Sequence, residues 1–499
     1  MNKQIRRLAL GLLLCYLVLF VQLNILQVQR KSELAANPNN NRAVLRDFDK
    51  PRGKIVTADG VVIAETDALP VSSTDSSTGR KFKTQRAYPT KDLFADLSGY
   101  YTFAFGATKL ERKYADVLTG KTVGQFLPGL LNKDNTGSVL LTARADLQQV
   151  ARDALGEREG SVVLLNPRTG AVLAMWSFPS YDPNLVAVHD NKLAGNVLEF
   201  LNAAPGKPTL GNAYQERYMP GSTFKVITTA IALENGLIDF SSSWATETEY
   251  LPPQTTDPIQ NYGGKPCGGD LREVFRRSCN TPFARIAVDL GPEKMVAGTK
   301  AWGIGEKVPF DIPGATSSVF GEVTDFANAT PKLAIRGFGQ DEDQMVPLHM
   351  AMVAATVANG GKMMKPYVVE ATLDHGGGVL SRTEPSVWKT PISPTTAATL
   401  TELMIGVVQN GTAQCCMQLA NGIQAAAKTG TAQLNFGGQE QRSHAWITAF
   451  APADNPQFAI AVILKGTNAE ISAGTGGKLA GPIAKTVLDY ALAHPLEQG

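Results

Sequence analysis

From Leu8 to Val21 the chain is apolar without a break, and the pattern continues more loosely through Leu23, Ile25, Leu26 and Val28, with Gln22, Asn24 and Gln27 intruding. A bilayer takes about twenty apolar residues to cross, so residues 8–28 predict one membrane-spanning helix. Lys3, Arg6 and Arg7 precede it, which places residues 1–7 in the cytoplasm and everything after Gln29 outside. Ala35-Ala36 lies well beyond the run, so the segment reads as an uncleaved signal anchor rather than a cleaved signal peptide. Between Lys31 and about Gly137 the chain is polar and turn-rich. Its strand-like runs are short, as in Lys54 to Ala64, where Asp59-Gly60 between two β-branched stretches signals a hairpin. Val71 to Thr78 reads as a Ser/Thr-rich loop. From Ser138 the periodicity changes. Leu147, Val150, Ala151 and Leu155 recur at helical spacing, and Ser161 to Trp176 reads as two strands about a Pro-Arg-Thr-Gly turn. Pro220-Gly221 introduces an apolar helix over Val226 to Leu233 closed by Gly236, and another helix is expected from Pro282 to Leu290. Ala425 to Gln433, His444 to Ala451 and Gln457 to Leu464 predict three antiparallel strands. The pattern as a whole divides into a cytoplasmic tail (1–7), an anchor (8–28), a β-rich extended pedestal or docking domain (29–137) and an α/β (α+β) domain (138–499) with a mainly antiparallel sheet flanked by helices.

Composition narrows the class. At 499 residues the chain is long enough for a large core, and 43% hydrophobic with 18% charged residues is globular usage. A formal charge of +2 and the lack of a basic tract give no reason to expect nucleic acid. Of five cysteines, Cys15 lies in the span; Cys267, Cys279, Cys415 and Cys416 would face an oxidising space. Four cysteines allow three pairings. Adjacent Cys415 and Cys416 do not readily bridge each other without strain, so Cys267 with Cys279 is the pairing expected if any bond forms. Scattered histidines and the lack of a Cys-x-x-Cys argue against a metal site, and none is expected.

The chemistry concentrates in three short stretches. Ser222 and Lys225, three apart at a helix start, share a face, so a neutral lysine there could take the serine's proton. Unpaired N–H groups at such a start favour a developing oxyanion. By itself Ser-x-x-Lys is weak, because serine at a helix start is usually a cap. Further on, Ser278-Cys279-Asn280 precedes the second helix; on an extended or loop backbone Ser278 and Asn280, two apart, point the same way. A helix cap or Asx-turn is the plainer reading of that pair. Lys428-Thr429-Gly430-Thr431 lies on the first of the three late strands. There Lys428 offers a fixed positive charge and Thr429 a hydroxyl for a carboxylate, and Gly430 allows close approach to the backbone.

Ser-x-x-Lys, a serine/asparagine triplet and Lys-Thr-Gly in this order resemble the penicillin-binding proteins and serine β-lactamases. Further likeness lies in Arg52-Gly53 with Asp59-Gly60, Gly170 to Met175, Pro179 to Asn184, Gly337-Phe338-Gly339-Gln340 before Pro347, and Ala358 to Gly361. The chain is most similar to class B monofunctional penicillin-binding proteins, and in its compact pedestal and length to the actinobacterial penicillin-binding protein A branch. The resemblance implies a peptidoglycan D,D-transpeptidase. Ser222 would be acylated by a stem peptide, with Lys225 as base, Ser278 shuttling a proton and Asn280 positioning Lys225 and substrate. Lys428 would supply positive potential and Thr429 would bind the terminal carboxylate beside Gly430, with the N–H groups of Ser222 and Thr431 as oxyanion hole. Stem peptides, β-lactam antibiotics, the cytoplasmic membrane and other cell-wall synthesis proteins are the implied partners; no cofactor is implied. Two departures stand out: Cys279 in the middle of the triplet, and Phe338 where many relatives carry glutamine. A D,D-carboxypeptidase or a non-catalytic penicillin-binding scaffold are the alternatives; anchor, pedestal and length argue against a β-lactamase.

Overall fold

A computed structural model describes residues 3–30, 51–69, 82–122, 124–125, 135–434 and 442–495. Ala35-Ala36 and the Val71 to Thr78 loop lie outside the described residues. At the N-terminus an α-helix, Lys3–Asn24, runs into a π turn, Ile25–Gln29. Its large apolar side chains are exposed, and over Lys3–Gln27 (25 residues) it is long and apolar enough to cross a bilayer.

Two sheets carry the rest. The first has six strands in the spatial order Val379–Arg382, Val369–Leu373, Ser138–Leu141, Ile55–Val56, Val62–Ala68 and Thr84–Ala87. The expected hairpin is present: Ile55 faces Ala64 and Val56 faces Val62, with Gly60 at φ +83° in the turn. Ile55–Val56 also pairs in parallel with Val139 and Leu140, so strands from before and after residue 138 share one sheet. The hairpin turn reaches further, because Asp59 accepts from the N–H groups of Ala145 (2.9 Å) and Asp146 (3.2 Å). It thereby caps the Ala145–Leu155 helix from 86 residues away.

The second sheet has five strands, all antiparallel, in the order Ala426–Leu434, Arg442–Ala451, Phe458–Leu464, Gly160–Leu165 and Val172–Phe178. Every residue of Phe458–Leu464 is buried, because helices cover both faces. Pro347–Ala358 packs on the sheet and is apolar almost all round, while Ala145–Leu155 and Gly476–Ala493 also pack against it and each other. Ala426–Leu434 is an edge strand, with one row of backbone groups not used by the sheet.

Beside that edge stands a helical layer. Its central helix, Lys225–Glu234, extends the expected 226–233 by a residue at each end and follows a 3₁₀ turn, Gly221–Phe224. The helix expected over 282–290 is longer, Thr281–Ala301, with a break at Gly291 (φ +75°) ahead of Pro292.

Cys267 and Cys279 are bonded, as expected if any bond forms. Cys415 and Cys416 are bonded too, which overturns the expectation that adjacent cysteines here would not bridge. That expectation suits a strand, where successive side chains point to opposite faces. These two lie in a tight turn, with the N–H groups of Cys416 and Met417 both donating to Ala413 O, and their Cα atoms are 3.8 Å apart, the ordinary spacing across a trans peptide.

Candidate active site

The 218–224 segment is clamped onto the edge strand. Tyr218 and Met345 exchange backbone hydrogen bonds, and Trp446, buried in the neighbouring strand, donates from Nε1 to Met219 O at 2.9 Å. Two glycines permit the contact. A Cβ on Gly221 (φ +54°) would lie 2.7 Å from Thr431 O, and one on Gly430 would lie 2.6 Å from Pro220 O. With neither Cβ present, Ser222 sits half-buried beside the strand, at the start of the turn that opens into the central helix.

Lys225 is 0% exposed. Its Nζ donates to Ser278 O (2.8 Å) and Asn280 Oδ1 (2.9 Å) and lies 3.4 Å from Ser278 Oγ. The rings of Phe283 and Phe338 stand 5.2 and 5.8 Å away, so the phenylalanine at the departing position helps keep water from this amine. No carboxylate pairs with it among the described residues. Burial, with Lys428 as a second cation nearby, drives the Lys225 pKa well below its ordinary value. A neutral amine has two N–H bonds and one lone pair. Ser278 O and Asn280 Oδ1 only accept, so they take both N–H bonds and leave the lone pair for a hydroxyl.

Lys428 is equally buried and donates to Ser278 Oγ (2.8 Å) and Thr429 O (3.0 Å). Burial lowers its pKa to about 7. The charge expected to be fixed therefore titrates near neutrality, and both amines converge on the Ser278 hydroxyl.

Ser278 and Asn280 meet Lys225, but not by the alternation of an extended backbone. Ser278 has φ +61° and terminates the Leu271–Arg276 helix; its N–H donates to Phe275 O and that of Cys279 to Val274 O. This is a Schellman closure, in which the left-handed position is usually glycine. A serine there is strained, and the Cys267–Cys279 bond anchors the next residue. Asn280 stands at the N-cap of Thr281–Ala301, yet its side chain caps nothing. Asn261 does that work: its Oδ1 accepts from the N–H groups of Asn280 (2.7 Å) and Thr281 (3.1 Å), while its Nδ2 donates to Glu247 O (2.9 Å). Asn280 is thereby free to donate from Nδ2 to Gln260 O and turn Oδ1 to Lys225. Sequence reading missed Asn261, because nothing in the chain marks a cap supplied from 19 residues upstream.

On the strand, Thr429 Oγ1 lies 2.6 Å from Thr412 Oγ1, a second residue the sequence did not signal. Gln340, at the end of Gly337-Phe338-Gly339-Gln340, donates to Thr431 O at 3.3 Å. A strand residue's C=O and N–H point to the same side, so Thr431 N–H also faces away from the sheet, toward the Ser222 turn. Thus Ser222, Lys225, Ser278, Asn280, Lys428, Thr429, Gly430 and Thr431 come together at one place.

Residues 160–489 match the family described as penicillin binding protein transpeptidase domain, and residues 52–138 the penicillin binding protein A dimerisation domain. The chain is 36% identical to the peptidoglycan D,D-transpeptidase PbpA of Mycolicibacterium smegmatis over 99% of both chains. To the protein of the same name in Mycobacterium tuberculosis it is 35% identical, again over 99% of both. Its structure is similar to the ceftriaxone acyl-enzyme complex of penicillin-binding protein A from M. tuberculosis, with TM-score 0.81 and 33% identity over 90% of this chain and 100% of that one. The penicillin G acyl-enzyme complex of that protein gives TM-score 0.79 and 34% identity, over 89% and 99%.

Two outcomes follow from the geometry. Asn261→Ala should lower stability by about 1 kcal/mol through loss of the cap, and a crystal structure of the variant should show Asn280 turned from Lys225 toward the helix start. Asn261→Asp keeps the acceptor and should leave Asn280 in place. An unfolded lysine titrates near 10.4 and folded Lys428 near 7, so the unfolded chain binds more protons between those values. Stability should therefore rise with pH across that window, by up to about 1.4 kcal/mol per pH unit from this group. In Lys428→Met, denaturant titrations at several pH values should show a reduced slope.

Proposed function

The chain belongs to the penicillin-binding protein transpeptidases, and from that premise we propose that it is a peptidoglycan D,D-transpeptidase acting through an acyl-enzyme on Ser222. The observation that carries this reading is a buried Lys225, one helical turn from Ser222, with no carboxylate paired to it among the described residues and its N–H bonds taken by Ser278 O and Asn280 Oδ1.

In the first half-reaction Ser222 Oγ attacks the carbonyl of the penultimate D-alanine, and its proton passes to the lone pair of Lys225. The N–H groups of Ser222 and Thr431 receive the oxyanion; each such donor is worth about 3 to 4 kcal/mol in a comparable site. Ser278, which accepts from Lys428 Nζ and lies within reach of Lys225, relays the proton to the nitrogen of the departing D-alanine. Thr429, with charged Lys428 beside it, holds the terminal carboxylate, and the stem peptide lies along the free edge of Ala426–Leu434 as an added strand. In the second half-reaction an amine on a neighbouring stem peptide attacks the acyl carbonyl and Ser222 regains its proton. A β-lactam follows only the first half, because its leaving nitrogen stays tethered to the acyl group.

The apolar N-terminal helix anchors the protein in the cytoplasmic membrane, and Lys3, Arg6 and Arg7 favour a cytoplasmic N-terminus with the catalytic domain outside. Two disulfides among the described residues suit that compartment. Residues 29–137 serve as pedestal and docking domain, offered to a second copy or to other cell-wall synthesis proteins, and residues 138–499 as the transpeptidase domain.

Ser222→Ala should abolish covalent labelling by a fluorescent penicillin while leaving the circular dichroism spectrum unchanged; labelling at the unaltered rate would remove Ser222 as nucleophile. The second-order acylation rate should rise with pH as Lys225 loses its proton, then fall with a midpoint near 7 as free Lys428 loses its own. Lys428→Met should lose that falling limb and react about 10- to 100-fold more slowly, the loss of one charge-assisted hydrogen bond. Stopped-flow acylation across pH distinguishes these outcomes.

A further inference from the structure

Beside Ser278 a cavity of about 270 Å³ opens between the 261–267 and 277–279 segments and the turn at 410–412. Lys265 and Arg277 line it together with Tyr262, Ser278 and Thr412, and among the described residues none of its lining side chains is acidic. Lys265 and Tyr262 are exposed. Arg277 donates to Pro266 O at 3.0 Å and meets Glu273 at 3.5 Å, a carboxylate it shares with Arg276. The walls are tied to one another. The Cys267–Cys279 bond ties two sides together, Arg276 donates to Asn410 O at 2.6 Å, and Thr412 N–H donates to Arg276 O at 3.2 Å. A Cβ on Gly411 would lie 2.5 Å from that same carbonyl.

The cavity's position suggests its occupant. Ser278 Oγ touches Lys428 Nζ at 2.8 Å, and Thr412 Oγ1 touches Thr429 Oγ1 at 2.6 Å. The cavity therefore begins where the terminal carboxylate of the leaving D-alanine would end. In the reverse sense of the same geometry, the incoming amine must approach from where the leaving nitrogen departed.

Resting on the transpeptidase reading, we propose that this cavity is the acyl-acceptor subsite, holding a carboxylate-bearing part of the second stem peptide on Arg277 and Lys265. The acceptor nitrogen attacks the acyl carbonyl, the new C–N bond forms as the bond to Ser222 Oγ breaks, and the amine proton passes through Ser278 and Lys225 back to Ser222 Oγ. An amine lacking the carboxylate enters without that anchorage, and water needs none of it.

The test uses the full chain in detergent micelles, acylated by a D-alanyl thioester donor. Mass spectrometry follows partition of the acyl group between water and two acceptors, 2,6-diaminopimelate and its diamide. In the double variant Lys265→Gln/Arg277→Gln, donor acylation and penicillin labelling should stay within about twofold. The diaminopimelate concentration for half-maximal transfer should rise about tenfold, equivalent to about 1.4 kcal/mol, with the diamide unchanged. Unchanged dependence on diaminopimelate overturns the subsite, as does an equal loss with the diamide. Slowed donor acylation assigns the cavity to the donor instead and also overturns it. Hydrolysis alone by the unaltered protein overturns the transfer reading itself, and the subsite with it.

Discussion

Two lysine side chains buried within reach of one serine hydroxyl, with no carboxylate pairing with them among the described residues, are the constraint on which this site depends. Desolvation penalises both charges, and the nearby Lys428 cation further disfavours a charge on Lys225, so Lys225 is driven well below its ordinary range while Lys428 falls to about 7. A structural protein would relieve that tension with an acidic partner. Here it is retained, because a lysine can act as a base near neutrality only if burial and a neighbouring cation have depressed its pKa. Lys428 has a second use for the same tension: a substrate carboxylate would supply the missing counter-charge, so binding and protonation are coupled.

Much of the surrounding architecture keeps this arrangement in place. The 218–224 turn touches the edge strand only because Gly221 and Gly430 lack Cβ atoms. Trp446 fastens the turn to the sheet, and the 337–340 segment bridges the two, Gly339 O accepting from Gly221 N–H and Gln340 donating to Thr431 O. From the other side, a strained Ser278 is held by a Schellman closure and by the disulfide at the adjacent Cys279. Asn261 takes over the helix cap, so that Asn280 can spend its amide on Lys225. Each device fixes a polar group that would otherwise relax into a locally better hydrogen bond. The same segments also form walls of the cationic cavity next to the reacting centre, so catalytic geometry and the proposed acceptor subsite share one corner of the fold.

The amino-acid sequence by itself determined the elements whose signal is local. The apolar N-terminal run, the Asp59-Gly60 hairpin, the helix after Pro220-Gly221 and the three late strands are all legible from periodicity and turn residues, because they depend on neighbours a few positions apart. So are the three motifs, as residue types in order. Tertiary structure decided what those residues meet. Positive φ at Ser278, a cap reaching from Asn261 to Asn280, the pairing of Cys415 with Cys416 and the burial of Lys428 all depend on contacts or backbone turns with no periodic signature. The charge state of a lysine is the clearest instance. Its residue type is written in the chain, but its pKa is set by the water and charges that the folded surroundings exclude or supply.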